Sequence, residues 1–124
     1  MKPDKAAFAE VHARLTDILR KYEKGKLKGS DTKGTYTLIG PPSGKTGKNP
    51  VWLGCVKTGK NYVSYHFMPV YGCRELLDDV SPALKKRMQG KACFNFTAVD
   101  ESLFKELAAL TERGYKRFKE LKYI

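Results

Sequence analysis

The stretch "VWLGCVKTGKNYVSYHFM", residues 51–68, decides the fold class. Two runs rich in β-branched and aromatic residues, Val51–Lys57 and Tyr62–Met68, flank the turn-forming tetrad Thr58-Gly59-Lys60-Asn61. Such runs bounded by Gly and Asn read as strands, and a short glycine-containing connection joins them as a hairpin. An antiparallel pair is therefore expected. Along its second strand Val63, Tyr65 and Phe67 point one way, and Tyr62, Ser64, His66 and Met68 the other. Both sets carry apolar bulk, so alternation alone does not choose the face that meets the core.

Upstream, Thr35–Ile39 alternates Tyr36 and Leu38 with Thr35 and Thr37 and predicts a further strand. Between it and the hairpin lies "IGPPSGKTGKNP", residues 39–50, which resembles a nucleotide-binding loop. The phosphate-cradling pattern is G-x-x-x-x-G-K-[ST], with a helix directly behind the lysine. Here Gly40 and Gly44 enclose only Pro41, Pro42 and Ser43, and the position that needs the first glycine is Ile39. The two prolines contribute no N–H donor. Behind Lys45 the chain runs through "TGKNP" into the strand-like "VWLGCVK", not into a helix. The stretch reads as a basic connection between strands, in which Lys45 and Lys48 are available to an anion without forming a cradle.

The ends of the chain predict helices. Residues 4–22 carry Phe8, Val11, His12, Leu15, Ile18, Leu19 and Tyr22 at helical spacing, with Asp4 as the cap. A lysine-rich linker, "EKGKLKGSDTKG", comes next. Asp100 caps a last helix reaching about Lys122. Its stripe is Leu103, Phe104, Leu107, Leu110, Phe118 and Leu121, and Gly114 interrupts it where close packing or a kink is expected. Between the hairpin and this helix, residues 69–80 read as mixed loop or one helical turn. Ser81, Pro82 and Gly90 then frame a short helix as cap, first residue and stop. In "KACFNFT", residues 91–97, Ala92, Phe94 and Phe96 share one side of a strand. The order is helix, three strands, short helix, strand, long helix. Two amphipathic terminal helices need a common apolar surface, which one sheet face supplies. The expected fold is an α+β two-layer sandwich, an antiparallel sheet with the N- and C-terminal helices packed on one face, in a single domain spanning 1–124.

The 124 residues hold 24 Lys and Arg against 13 Asp and Glu, a formal net charge of +11. A chain this basic attracts anionic partners. Residues 24–60 hold eight lysines (24, 26, 28, 33, 45, 48, 57 and 60) against Asp31 alone, with Tyr36, Trp52 and Tyr62 interleaved. Lysines that hold phosphates beside rings on which bases stack make up a nucleic-acid-binding composition, but no RNA-binding or zinc-finger signature accompanies it. Lys45, Lys48, Lys57 and Lys60 are the candidate anion contacts. Trp52, Tyr62 and His66 are the candidate pocket or stacking groups.

Other chemistry has little support. Cys55, Cys73 and Cys93 are spaced by 18 and 20 residues without a C-x-x-C pair, which fits reduced, largely buried thiols and no zinc site. His12 lies on an apolar stripe and reads as a packed histidine. Asp100-Glu101 suits a helix start and Asp78-Asp79 a solvated turn. No apolar run approaches a membrane span and no secretory leader is visible, so a cytoplasmic protein without membrane partners is expected. No catalytic residue, metal or cofactor is assigned, and the chain is expected to be non-enzymatic.

The segment "NYVSYHFMPVYGCRELLDDVSPALKKRMQGKACFNF", residues 61–96, with "DESLFKELAALTERGYKRF", residues 100–118, resembles the YdhG-like domain-of-unknown-function family of small bacterial proteins. The match rests on Tyr62–Met68, on the helix at 81–91 and on "CFNF" at 93–96, and extends over about residues 5–120. The resemblance implies a frataxin-like fold and, through frataxins, an alternative role as an iron-binding or iron-chaperone protein. Frataxins carry an acidic ridge on the first helix and strand, which suits a hard cation. Here Asp4, Glu10, Asp17 and Glu23 alternate with Lys5, Arg14, Arg20 and Lys21, and a basic segment comes after them. No iron ligand is carried over. The leading expectation is a binding domain for an anionic ligand or partner. Iron binding and a nucleic-acid-binding accessory role stand as alternatives.

Overall fold

The computed structural model describes residues 5–42 and 47–124, with side chains in the first helix from residue 7 onward. The cap expected at Asp4 lies outside the described residues. The elements run α1 (Lys5–Arg20), β1 (Lys28–Thr32), β2 (Thr35–Gly40), β3 (Val51–Thr58), β4 (Val63–Phe67), α2 (Met68–Gly72), a 3-10 turn (Arg74–Leu77), α3 (Pro82–Lys85), β5 (Met88–Gln89), β6 (Cys93–Phe96) and α4 (Glu101–Glu120). The fold is α+β. Its open sheet has six strands in the order β1-β2-β3-β4-β6-β5, every neighbouring pair antiparallel.

Two strands correct the sequence reading. The lysine-rich linker contains β1, pairing Lys28 with Ile39 through Thr32 with Thr35. All five of its residues are exposed, so it has no hydrophobic alternation to read. Its signal is the turn: Lys33 and Gly34 both have positive φ, 41° and 76°, as the tightest two-residue hairpin demands. The helix expected up to Gly90 ends at Lys85, and Met88–Gln89 pairs with Cys93 and Phe94 as a short edge strand. Gly90, at φ 79°, turns that hairpin rather than stopping a helix. The start of α3 is as expected, because Ser81 Oγ accepts from Leu84 N at 3.2 Å and Pro82 comes directly after it.

The core face is the one carrying Val63, Tyr65 and Phe67, which are all fully buried. With Tyr36, Leu38, Leu53, Val56, Phe94 and Phe96 they join one cluster with α1 (Phe8, Val11, Leu15, Leu19, Tyr22) and α4 (Leu103, Phe104, Leu107, Leu110, Phe118). Asp100 caps α4, its Oδ1 accepting from Leu103 N at 3.1 Å. Gly114 is the point of closest approach: a Cβ there would stand less than 3.0 Å from the Phe67 ring and from Pro69. One turn earlier, the buried Thr111 hydroxyl donates to Leu107 O at 2.8 Å. Its single proton is thereby spent, so the Tyr65 hydroxyl, 2.7 Å away, is the donor between them. Full burial pushes the Tyr65 phenol well above its ordinary range.

The end of α4 is closed by backbone geometry. Lys122 N donates to Lys119 O and Tyr123 N to Phe118 O, the paired bonds of a Schellman cap, and the Tyr123 ring stacks on Phe118 at 4.6 Å. Lys122 holds φ 68°, a left-handed conformation that suits glycine and costs a lysine about 1 kcal/mol.

Gly114→Ala should destabilise the protein by roughly 1–3 kcal/mol in urea unfolding, although alanine is the better helix former by about 1 kcal/mol. A stabilised variant would show that α4 does not seat on Phe67. The Tyr65–Thr111 pair should respond asymmetrically. Thr111→Val strands a buried phenol donor and should cost about 1–3 kcal/mol, whereas Tyr65→Phe leaves the Thr111 proton on its carbonyl and should cost less. Equal losses in the two variants would refute the donor assignment.

Candidate functional site: a basic groove at one end of the hairpin

The face opposite the core carries the side chains that sequence alternation left undecided. Lys57 on β3 lies opposite Ser64 on β4, and His66 on β4 lies between Cys55 on β3 and Cys93 on β6. The β3–β4 connection closes with Gly59 N donating to Tyr62 O at 2.8 Å. That turn lifts Lys60 and Asn61 beside the sheet, and Lys57, Lys60, Asn61, Tyr62, Ser64 and His66 line one groove of about 370 Å³. No carboxylate is among the lining residues. Among the described residues the ion pairs engage Arg14, Arg20, Lys116 and Arg117; Lys57 and Lys60 take part in none.

Polar groups beneath the groove hold each other. Ser64 Oγ donates to Asn95 Oδ1 at 2.8 Å, Asn95 Nδ2 donates to Gln89 Oε1 at 2.6 Å, and Cys93 Sγ reaches Asn95 Oδ1 at 3.3 Å. The Ser64 proton therefore goes to an amide and not to His66, so no serine–histidine pair is assembled here. Burial pushes both the Cys55 and Cys93 thiols up, outweighing the hydrogen bonds and the Lys57 charge that favour their thiolates. They stay protonated near neutral pH, where a nucleophile needs a thiolate. Although Cys55, His66 and Cys93 stand in one cross-strand row, no group of three or more His, Cys, Asp or Glu among the described residues is placed to hold a metal ion.

The His66 ring makes no hydrogen bond among the described residues. Burial lowers its pKa, and the Lys57 charge lowers it further. It is neutral at pH 7 and offers a lone pair or an N–H at the groove wall. The groove thus combines two unpaired ammonium groups, a phenol, a neutral imidazole and an amide. Such a set offers contacts to anions and to neutral polar groups.

The candidate residues from the sequence separate into three places. Lys57, Lys60, Tyr62 and His66 come together. Lys48 lies exposed in the turn before β3, at the other end of a strand of eight residues. At about 3.3 Å per residue, roughly 20 Å of extended strand lies between Val51 and Lys57, so Lys48 and Lys57 are at opposite ends of β3 and do not share a ligand-sized site. Lys45 lies outside the described residues. Trp52 points from the far end of β3 and lines a different, apolar groove with Met68 and Tyr71. Strand alternation places Ser64 on the His66 face; sequence reading missed Asn61 as a lining residue and Asn95 as the partner of Ser64, the latter because only the strand register brings β6 beside β4. His12 is held by Thr58, Nδ1 to Oγ1 3.0 Å, as a packed histidine. No helix among the described residues is long and apolar enough to cross a membrane.

Anion binding at this groove should strengthen toward acid. His66 protonates as the pH falls through its depressed pKa, adding a third cation, while the folded state itself loses stability through the same window because its histidine prefers to be neutral. The salt needed to elute the protein from heparin should rise between pH 7.5 and about pH 5.5, and His66→Asn should remove much of that rise. An identical pH profile for this variant would exclude His66 from the site. No protein-family model, curated protein or solved structure matches this chain.

Proposed function

We propose that this protein is a non-enzymatic binding module that takes an anionic, phosphate-bearing ligand or partner in the groove between Lys57, Lys60, Tyr62 and His66. The reading is carried by one observation: two lysines without ion-pair partners among the described residues converge with a phenol and an imidazole on a groove lined by no carboxylate. Unpaired ammonium groups over a sheet surface gain more from a multivalent anion than from water-screened neighbours. The half-buried Tyr62 ring adds a surface on which a base or another planar group stacks.

In this reading the scaffold is a two-layer, frataxin-like arrangement of the YdhG-like kind, with both terminal helices on one sheet face and the groove on the other. Binding rather than catalysis follows from the chemistry of the groove. Its serine is hydrogen-bonded to an amide, its neighbouring thiols are protonated, and its histidine has no acidic partner to orient it.

Lys57→Glu with Lys60→Glu lowers the net charge by four, from +11 to +7. This double variant should lose most heparin and oligonucleotide retention at low salt. A charge-matched control, Lys105→Glu with Lys116→Glu on α4, should lose far less. Equal losses would mean that retention follows net charge alone, and the proposed site would fall.

A further inference from the structure

We propose that the second groove, at the opposite end of β3, is a binding site for a small amphiphilic acid, with an apolar chain or ring seated in the groove and a carboxylate at its rim. Trp52, Met68 and Tyr71 are the large hydrophobic side chains left exposed among the described residues, at 47%, 36% and 55%. All three line this one cavity of about 460 Å³, with Cys73, Phe118, Leu121 and Tyr123 among its other lining residues. Single exposed apolar residues are ordinary; three gathered over one concave surface mark a binding site. The volume falls within the range of small-molecule pockets.

Cationic residues adjoin the lining residues. Lys122 stands between the lining residues Leu121 and Tyr123. Arg74 follows Cys73, and its Nη1 donates to Lys91 O at 2.6 Å. Lys91 Nζ lies 5.9 Å from the centre of the Tyr71 ring. The adjoining carboxylates, Glu75 and Glu120, are both engaged by Arg117. The Arg117 Nε is buried with no hydrogen-bond partner, and its guanidinium lies against the Cys73 side chain at the groove wall. Lys122 also keeps its left-handed φ of 68° where glycine is unstrained, and what lysine supplies there over glycine is a cation.

An apolar floor inside a cationic rim fits an amphiphilic anion. A second copy of this chain fits poorly, since it would bring the same basic rim against itself. A large protein partner would need much more apolar surface than three side chains provide.

Trp52 is the one tryptophan of the chain and reports directly on the groove. Titration with decanoate should shift its emission saturably at sub-millimolar concentration, and decanol should bind about tenfold more weakly for want of the charge. Lys122→Gly relieves backbone strain, so it should melt at the same or a higher temperature while losing about tenfold in decanoate affinity. Tyr71→Ala, at an exposed position, should also bind more weakly, and Lys105→Glu, exposed on α4 and in neither groove, should bind as the unaltered protein does. No saturable shift, equal affinity for decanol, or unchanged affinity in a folded Lys122→Gly variant would each overturn the proposal.

Discussion

The close approach of α4 to β4 is the constraint on which the rest of the molecule depends. Gly114 lets the helix backbone come down onto the Phe67 ring and Pro69, and the Tyr65 hydroxyl meets Thr111 one turn away. An ordinary side chain at 114 would hold the helix off the sheet. A helix held off would leave Tyr65 and Phe67 without cover, and the buried phenol without its acceptor. Shape and hydrogen bonding therefore agree at one seam, which sets the register of α4 against the sheet.

That seam also determines what the sheet shows to solvent. Once Val63, Tyr65 and Phe67 turn inward, Ser64 and His66 must turn outward, because side chains alternate along a strand. Strand pairing then sets Lys57 across from Ser64, and Cys55 and Cys93 on either side of His66. The basic groove is a consequence of which face α1 and α4 cover. The apolar groove follows from the same helix at its other end, where the Schellman cap folds Tyr123 back on Phe118 and leaves Leu121 beside Trp52 and Tyr71.

Charge is distributed in a way that separates structural from free cations. Arg14 reaches across to α4 and holds Glu101 through two bonds of 2.5 and 2.8 Å, keeping that carboxyl below its usual range. Arg20 ties the end of α1 to β1 through Asp31 at 3.1 Å and lies over the Tyr36 ring. Arginine, with its planar fork, serves these inter-element ties, while Lys57 on β3 and Lys60 in the following turn take part in no ion pair among the described residues. An excess of +11 is therefore not one uniform coat. Arg14 and Arg20 brace the fold, while Lys57 and Lys60 have no ion-pair partner among the described residues.

The fold class was legible in the sequence because its signals are local. The hairpin at 51–68, the Ser81-Pro82 start of α3, the Asp100 cap and the apolar stripes of both terminal helices each need only neighbouring residues to be read. β1 escaped because a fully exposed strand carries no hydrophobic alternation, and β5 because two residues are too few for any period. The sites were legible only as residue types. Lys57, Lys60, Tyr62 and His66 are near in sequence, and the turn brought them together. Lys48 and Trp52 are nearly as near, but an extended strand carries residues apart at about 3.3 Å each. By itself the sequence determined the elements, their amphipathic faces and the excess of positive charge, since these follow from local backbone preference and composition. Only the tertiary structure decided which face of β4 is buried, which polar group each open-face side chain meets and how the cations divide between two ends of one strand. Those outcomes depend on α4 settling against Phe67, a contact between residues 47 positions apart that no local pattern encodes.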